Sequence, residues 1–449
     1  MNQINTNETS KSPSGDLGAR ISICWLRRDL RLADNAALYH ALKGDHPVLL
    51  LFIFDVNILD QLQNKADARL TFIYETLAKI QVQLEAHHTT LLIKYQTPEK
   101  AWNEVLAEYD VKAVYTNHDY EPYATNRDQG IAKLLSDKGI GFHSFKDQVI
   151  FDKNEVVKAD GKPYTVFTPY YNLWRKKLNE FYIKAYPTEK YFNNFLTTSS
   201  IPFPSLKDMG FETSALSFPT LDFEKKLDSY EKKRDYPSLD ATTHIGLHLR
   251  FGTVSIRNAA KKAIEHKADK WLAELAWRDF YMMILFHFPH ITTKAFKPAH
   301  DNIIWRNNEV EFEAWCKGKT GYPLVDAGMK QLNETGFMHN RVRMVVASFL
   351  CKHLLIDWRW GEAYFAEKLL DYDQASNVGG WQWACGSGND AAPYFRVFNP
   401  ELQLKKFDPK MDYVYKWAPE YKLAILPMPI VEHTFARDRV LKAYKIALT

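Results

Sequence analysis

Cysteine is scarce and unpatterned. Cys24, Cys316, Cys351 and Cys385 are the four in 449 residues, and none stands at C-x-x-C or His-paired spacing or in a dense secreted framework, so buried reduced thiols are expected. An iron–sulfur cluster also takes four cysteines, but Cys24 lies in a separate apparent domain from the other three. No run of 18 apolar residues occurs, and the opening stretch "MNQINTNETSKSPSGDLGAR" lacks the apolar segment of a secretory signal. A soluble, cytoplasmic protein with no membrane partner is the expectation. A charge excess of one sign is missing too: 58 basic against 54 acidic residues leave a formal +4, so an anionic partner must be held by a local basic surface. Glycine-rich phosphate loops are also absent, in both the G-x-G-x-x-G and the G-x-x-x-x-G-K-[ST] form.

What is present is apolar and aromatic: 46% hydrophobic and 14% aromatic residues suffice for two or three sizeable domains. Residues 1–18 form a polar tail of disordered composition. Over 19–150, short apolar runs of strand length ("ISICWL", "PVLLLFIFD", "TTLLIKY", "VKAVYTN") alternate with helical segments ("ADARLTFIYETLAKIQVQLEAH", "PEKAWNEVLAEY"), which predicts a doubly wound parallel α/β sheet of Rossmann-like type. Residues 151–219 are rich in Pro, Gly, Ser and aromatics and predict a long inter-domain connection. From 220 to 449 strand alternation nearly vanishes and helical spacing recurs, so the second domain is predicted to be all-helical.

The richest stretch is Thr335 to Pro400, which gathers four tryptophans, paired acids, arginines and glycines. In "GGWQW" the glycines permit close backbone approach, and Trp381 and Trp383 offer a wall for a flat ligand or an unstacked base. Trp305, Trp358 and Trp381 sit on separate segments, and any one of them taken alone reads better as a core aromatic. Arg341 and Arg343 are two apart and point to different sides of a helix, so one can face phosphate while the other pairs with an acid inside; Asp371 and Asp373 close another helical segment. In "WLAELAWRDFY", Trp271, Glu274, Arg278 and Tyr281 share one stripe, with Trp277 beside it. A carboxylate among aromatics needs a hydrogen-bonding task. Reading a base edge is one such task, and a salt bridge or helix cap is the plainer one.

At these residues the chain resembles the photolyase/cryptochrome family, nearest the bacterial class I cyclobutane pyrimidine dimer photolyases. The motifs "WLRRDLRLADNAAL", "YTVFTPYYNLW", "YEKKRDYP", "WLAELAWRDFY", "KTGYPLVDAGMKQL", "TGFMHNRVRM" and "NVGGWQWACGSGNDAAPYFRVFNP" match in order over nearly the whole chain. The resemblance implies a U-shaped FAD in the helical domain. Its binding positions match Tyr230, the turn of Thr242, Thr243, His244, Ile245 and Gly246, then Trp271, Glu274, Arg278 and Tyr281, and finally Arg343, Asp371, Tyr372, Asp373 and Asn377. Asn377 matches the residue facing flavin N5. Trp381, Trp358 and Trp305 match a chain carrying electrons inward from the surface. UV-damaged DNA is the implied partner: Glu274, Trp277, Arg278, Asn340, Arg341, Met344, Trp383 and Gln403 match positions around a flipped dimer, and Arg234 a DNA contact.

Two departures stand out. Where relatives read T-S-x-L-S-P, this chain reads "TTHIGLH", so Gly246 replaces a serine hydroxyl and Leu247 a proline. Relatives with a folate antenna carry Asn-Glu where this chain has Tyr123-Ala124, so a second chromophore stands between methenyltetrahydrofolate, a deazaflavin and none. The implied activity is light-driven lysis of pyrimidine dimers by a monomer requiring no metal. The rivals are (6-4) photoproduct repair, whose animal-type enzymes use histidines where Asn340 and Met344 stand; a cryptochrome-like photoreceptor, of which plant-type members carry Asp at the Asn377 position; and a generic flavin redox enzyme, for which no nicotinamide site is visible.

Overall fold

The computed structural model describes residues 20–423 and 427–449; the tail expected to be disordered, residues 1–18, lies outside the described residues. They divide into two compact units. The first takes residues up to His118, Asn126–Asp147 and Tyr186–Ala215, and the second takes Asp119–Thr125, Gln148–Ala185 and Leu216–Thr449.

The first unit is built on five parallel strands: β1 (Arg20–Leu26), β2 (Val48–Asp55), β3 (Leu91–Gln96), β4 (Asp110–Asn117) and β5 (Gly141–Phe145), in the order β3-β2-β1-β4-β5. β2 is buried at all eight positions, the reason its sequence is continuously apolar rather than alternating. Asn35 and Asp67 cap the helices Ala36–Leu42 and Ala68–Glu85 through their side-chain oxygens. At the carboxyl ends of β1 and β4, where the strand order reverses, a buried polar cluster fills the crevice. There Asn117 Nδ2 donates to Asp29 (2.6 Å) and to Asn35 (2.9 Å), and Arg31 pairs with Asp147 (2.7 Å).

The stretch 151–219 does not stand apart as a connection. Its first part packs into the second unit, with a helix at Phe167–Lys177, and Tyr186–Ala215 belongs to the first unit. What holds the earlier part is Asp279, which is 1% exposed on the helix Asp269–His287. Its Oδ2 accepts from the backbone N–H of Ile150 and Phe151, both at 3.1 Å, and from Trp174 Nε1 at 2.9 Å. An aromatic-rich segment that looks like a linker by composition thereby gains a fixed seat through three hydrogen bonds to one carboxyl.

The second unit is otherwise helical. Pro323 opens the helix Pro323–Thr335, and Gly336 ends it at φ +66°, where a side chain would be strained. His339 caps Asn340–Ser348, which runs on into a π-helical turn at Phe349–His353. Asp357 caps Trp358–Lys368. Asp373 was expected to close a helical segment; it instead opens Gln374–Cys385 by accepting from Ser376 N–H at 3.0 Å.

Candidate functional site

The helices Asp269–His287, Asn340–Ser348, Trp358–Lys368 and Gln374–Cys385 surround a cavity of about 450 Å³, within the range of small-molecule sites. Its walls bring together fourteen of the residues singled out from sequence: Arg234, Glu274, Trp277, Arg278, Tyr281, Asn340, Arg343, Met344, Asp371, Tyr372, Asp373, Asn377, Trp381 and Trp383. Helical spacing explains one wall. Glu274, Trp277, Arg278 and Tyr281 fall on one face over two turns, and Gly379 admits Tyr281, since a Cβ at 379 would lie 2.3 Å from its ring. Trp277 stacks on Phe167, with ring centroids 3.6 Å apart and planes 9° from parallel.

Most of the charged groups lining the cavity have partners. Glu274 forms an ion pair with Arg234, whose guanidinium also lies 5.3 Å from the Tyr230 ring. This is the plainer of the two tasks expected for Glu274, and a base edge would have to compete with Arg234 for it. Arg343 pairs with Asp371 (3.0 Å) and donates to the Met338 carbonyl (2.7 Å), so it is the inward arginine. Arg341 points elsewhere, to Asp235 (2.9 Å) and across the Phe407 ring at 4.2 Å. Arg278 is drawn to the carbonyls of Gln148 and Leu249. Burial pushes the Tyr281 and Tyr372 hydroxyls well above the ordinary phenol value, keeping them neutral donors.

The other residues singled out from sequence lie outside this cavity or only border its neighbours. Trp271, on the same stripe as Glu274, is 3% exposed and packs against Phe223, its Nε1 donating to Thr243 Oγ1 at 3.3 Å. Thr242 and His244 line smaller adjoining cavities; the larger of these, about 290 Å³, shares Asp371 with the main one. His244 adopts φ +54° and its ring meets Phe337 at 4.3 Å. Thr243 is buried, Ile245 precedes the short helix beginning at Gly246, and Tyr230 and Gln403 are half-buried outside all three cavities. A Cβ at Gly246 would lie 2.8 Å from Asp371 Oδ2. The glycine that departs from the family turn is thus the one that lets Asp371 approach the backbone.

The three tryptophans differ in exposure. Trp381 is 2% exposed and lines the cavity, Trp358 is 1% exposed, and Trp305 is half-buried. Gly361 makes room for the first, because a Cβ there would sit 2.1 Å from Trp381 Cη2.

Sequence reading missed Glu362. Asn377 Nδ2 donates to the Glu362 carboxylate (2.9 Å) and carbonyl (3.2 Å), and Tyr372 O–H approaches the same carboxylate at 3.4 Å. With both donors of the amide directed at Glu362, the Asn377 oxygen is the group left for the cavity. Burial raises the Glu362 carboxyl above its usual range. Fifteen residues separate Glu362 from Asn377, on different helices, and no local spacing announces the pair.

The residues fit a flavin on the structure's own terms. An apolar and aromatic wall faces a fixed amide, an adjoining cavity is reached past Asp371, and at Gly380 a Cβ would meet no atom within 4 Å. Comparison with known proteins agrees. Residues 271–425 match the FAD binding domain of DNA photolyase and residues 22–190 match the DNA photolyase domain. The deoxyribodipyrimidine photo-lyase of Halobacterium salinarum is 34% identical over 481 residues, covering 95% of this chain and 99% of the relative. Among solved structures, a bacterial class III photolyase from Agrobacterium tumefaciens superposes with a TM-score of 0.83 at 33% identity, over 98% of this chain and 99% of that one. An archaeal photolyase from Sulfolobus tokodaii with two FAD molecules gives 0.80 at 33% identity, over 95% and 99%. A Synechocystis cryptochrome gives 0.83 at 25% identity, over 94% and 99%. The chain belongs to the photolyase/cryptochrome family.

Proposed function

We propose that this chain is a light-dependent deoxyribodipyrimidine photo-lyase that holds FAD in the cavity of its helical unit and splits cyclobutane pyrimidine dimers in UV-damaged DNA. The observation that carries the reading is the composition of one cavity, which joins a positioned amide (Asn377) and a buried indole (Trp381) to Trp277, Trp383, Asn340 and the Glu274–Arg234 pair. When bound, FAD supplies the absorption of blue light and the electron that opens the dimer, so the protein's task is binding, orientation and electrostatics. Asn377, oriented by Glu362, presents its oxygen to the cofactor. Arg343, held by Asp371, places a positive charge at the cavity wall beside an anionic ligand.

On the DNA side, Trp277 and Trp383 offer flat faces to an extruded lesion, while Glu274 and Asn340 offer hydrogen bonds to base edges. Arg341 lies over Phe407 outside the cavity, where a phosphate can reach it. Trp381, Trp358 and Trp305 pass electrons inward to restore the reduced cofactor. For the second chromophore, the Sulfolobus tokodaii relative is described with two FAD molecules, so flavin joins folate and deazaflavin as a class to test by chromatography of the extracted holoprotein.

The deciding experiment is to illuminate the purified holoprotein with dimer-containing DNA and follow dimer loss against a dark control. Loss in the light alone is expected. Equal loss in the dark, or none in either, overturns the reading.

A further inference from the structure

Of the three tryptophans, Trp305 is the one that no helix carries. It lies in 303–308, a stretch without regular secondary structure between Pro298–Asn302 and Glu309–Cys316, whereas Trp358 and Trp381 belong to the helices Trp358–Lys368 and Gln374–Cys385. Loops are the more mobile parts of a fold, so the seat of Trp305 has to come from ties to its neighbours.

Three hydrogen bonds join this stretch to the approach of the Trp358 helix. The N–H of Arg306 donates to the Leu355 carbonyl (2.8 Å), and its Nη1 donates to the Leu354 carbonyl (3.0 Å). Asn307 Oδ1 accepts from the N–H of Asp357 at 2.9 Å. Asp357 is the N-cap residue of that helix, and its own side chain is taken up by the N–H of Arg359 (3.0 Å). In a capping box the N-cap N–H is met by a Glu or Gln three residues on. Here that position is Trp360, which has no acceptor to offer, and Asn307 supplies one from another segment. The bond falls beside both rings in the chain, for Asn307 is two residues after Trp305 and Asp357 immediately precedes Trp358.

Both partners of this splice hold backbone conformations that most residues avoid. Asn307 has φ +45°, and Leu355, 4% exposed, has φ +53°. Asparagine tolerates the left-handed region, whereas an apolar side chain persists there only where its surroundings over-determine it. Apart from the splice, the Trp305 ring meets Tyr444 of the helix His433–Leu448 edge-on, with centroids 6.2 Å apart. The Tyr444 O–H donates to the Cys385 carbonyl (2.8 Å) at the end of the Trp381 helix. The outer ring is thereby tied to the elements that carry both inner ones.

We propose that Asn307 is a positioning residue for photoreduction: its amide splices the loop of Trp305 to the helix of Trp358 and sets the gap that the last electron crosses. This rests on the reading of Trp381, Trp358 and Trp305 as the photoreduction chain. In that step one electron leaves the Trp305 indole and fills the vacancy on Trp358. No bond forms or breaks, and a thiol supplied in solution later refills Trp305. Electron transfer falls steeply with the separation of the rings, and a vacancy that does not move outward is lost by return of the electron. A loosened loop therefore slows photoreduction without touching dimer repair, which starts from the reduced cofactor.

The test compares Asn307→Gly, Asn307→Asp and Trp305→Phe with the parent, each as the oxidised holoprotein illuminated anaerobically with a thiol. Asn307→Gly accepts the positive φ and removes only the acceptor, while Asn307→Asp keeps an oxygen in its place. Flavin absorbance should show photoreduction slowed about tenfold in Asn307→Gly and unchanged in Asn307→Asp. Hydrogen exchange in the dark, read by fragmentation mass spectrometry, should find the Asp357 amide protected in the parent and in Asn307→Asp and released in Asn307→Gly. After chemical reduction Asn307→Gly should repair dimers as the parent does. Parent-rate photoreduction in Asn307→Gly, or an Asp357 amide equally protected in it, overturns the splice, and slow photoreduction in Trp305→Phe then leaves the chain standing. Lost repair in the chemically reduced Asn307→Gly protein also overturns it, because the damage is then general. Parent-rate photoreduction in Trp305→Phe overturns the chain and, with it, the gap that Asn307 sets.

Discussion

Asp279 offers the sharpest test of how the helical unit is held together. Burial raises its carboxyl from 3.8 to about 6 against the three donors that would lower it. The folded state therefore retains a proton that the unfolded chain gives up between those values, and stability falls as pH rises through that window. The two values correspond to about 3 kcal/mol in full, of which about 1.4 kcal/mol falls between pH 5 and pH 8. In Asp279→Asn the amide oxygen can keep the bonds from Ile150, Phe151 and Trp174, but the group does not titrate. Its Nδ2 takes the place of Oδ1, a buried atom with no hydrogen-bond partner, at a pH-independent cost of about 1–3 kcal/mol. The variant should be less stable than the parent at pH 5, and the gap should close by about 1.4 kcal/mol by pH 8. Urea unfolding of both holoproteins at pH 5, 6, 7 and 8 and fixed ionic strength measures this. Parallel profiles, or a gap that widens with pH, would refute the account of Asp279 as a carboxyl held against ionisation.

Glu362→Gln removes the charged acceptor that orients Asn377; with about 1.5 kcal/mol or more lost, the reduced flavin should reoxidise in air roughly tenfold faster, and a lifetime equal to the parent's would deny Glu362 its positioning role. Gly361→Ala forces a methyl against Trp381 and, at 2.6 Å, against Leu350; overpacking of this kind costs about 1–3 kcal/mol, to be seen by calorimetry as a lower Tm. Trp277→Ala should weaken binding to lesion DNA by about 1–3 kcal/mol with affinity for undamaged duplex unchanged in a fluorescence titration; affinity for lesion DNA equal to the parent's would remove Trp277 from the site.

The legible parts of the fold are those where burial leaves a mark on composition. β1 to β4 lie at the four apolar runs because a parallel sheet covered on both faces demands them. β5 does not show, for "GFHSF" is a half-exposed edge strand without an apolar run. Phe167–Lys177 was hidden among prolines and aromatics, and its place depends on Asp279, more than a hundred residues away in sequence. Within the site, helical periodicity grouped Glu274, Trp277, Arg278 and Tyr281 correctly but also swept in Trp271, one turn earlier and turned into the core. Glu362, and the meeting of Tyr444 with Cys385, arise only from the packing of separate helices. No local pattern encodes such pairs.

The chain order of the two units has a consequence for synthesis. The sheet unit is closed by Tyr186–Ala215, but residues 148–185 emerge from the ribosome before that closing segment and belong to the other unit. Their anchor, Asp279, lies 129 residues beyond Ile150. At about 5–20 residues per second the segment waits roughly 6–26 s for that carboxyl. During that interval Trp174, Tyr170 and Phe151, all buried in the finished protein, have no core to enter. The sheet unit must complete itself around an excursion whose partner does not yet exist. Nascent chains stalled between residues 215 and 279 are where chaperone binding and proteolytic nicking of this protein should concentrate.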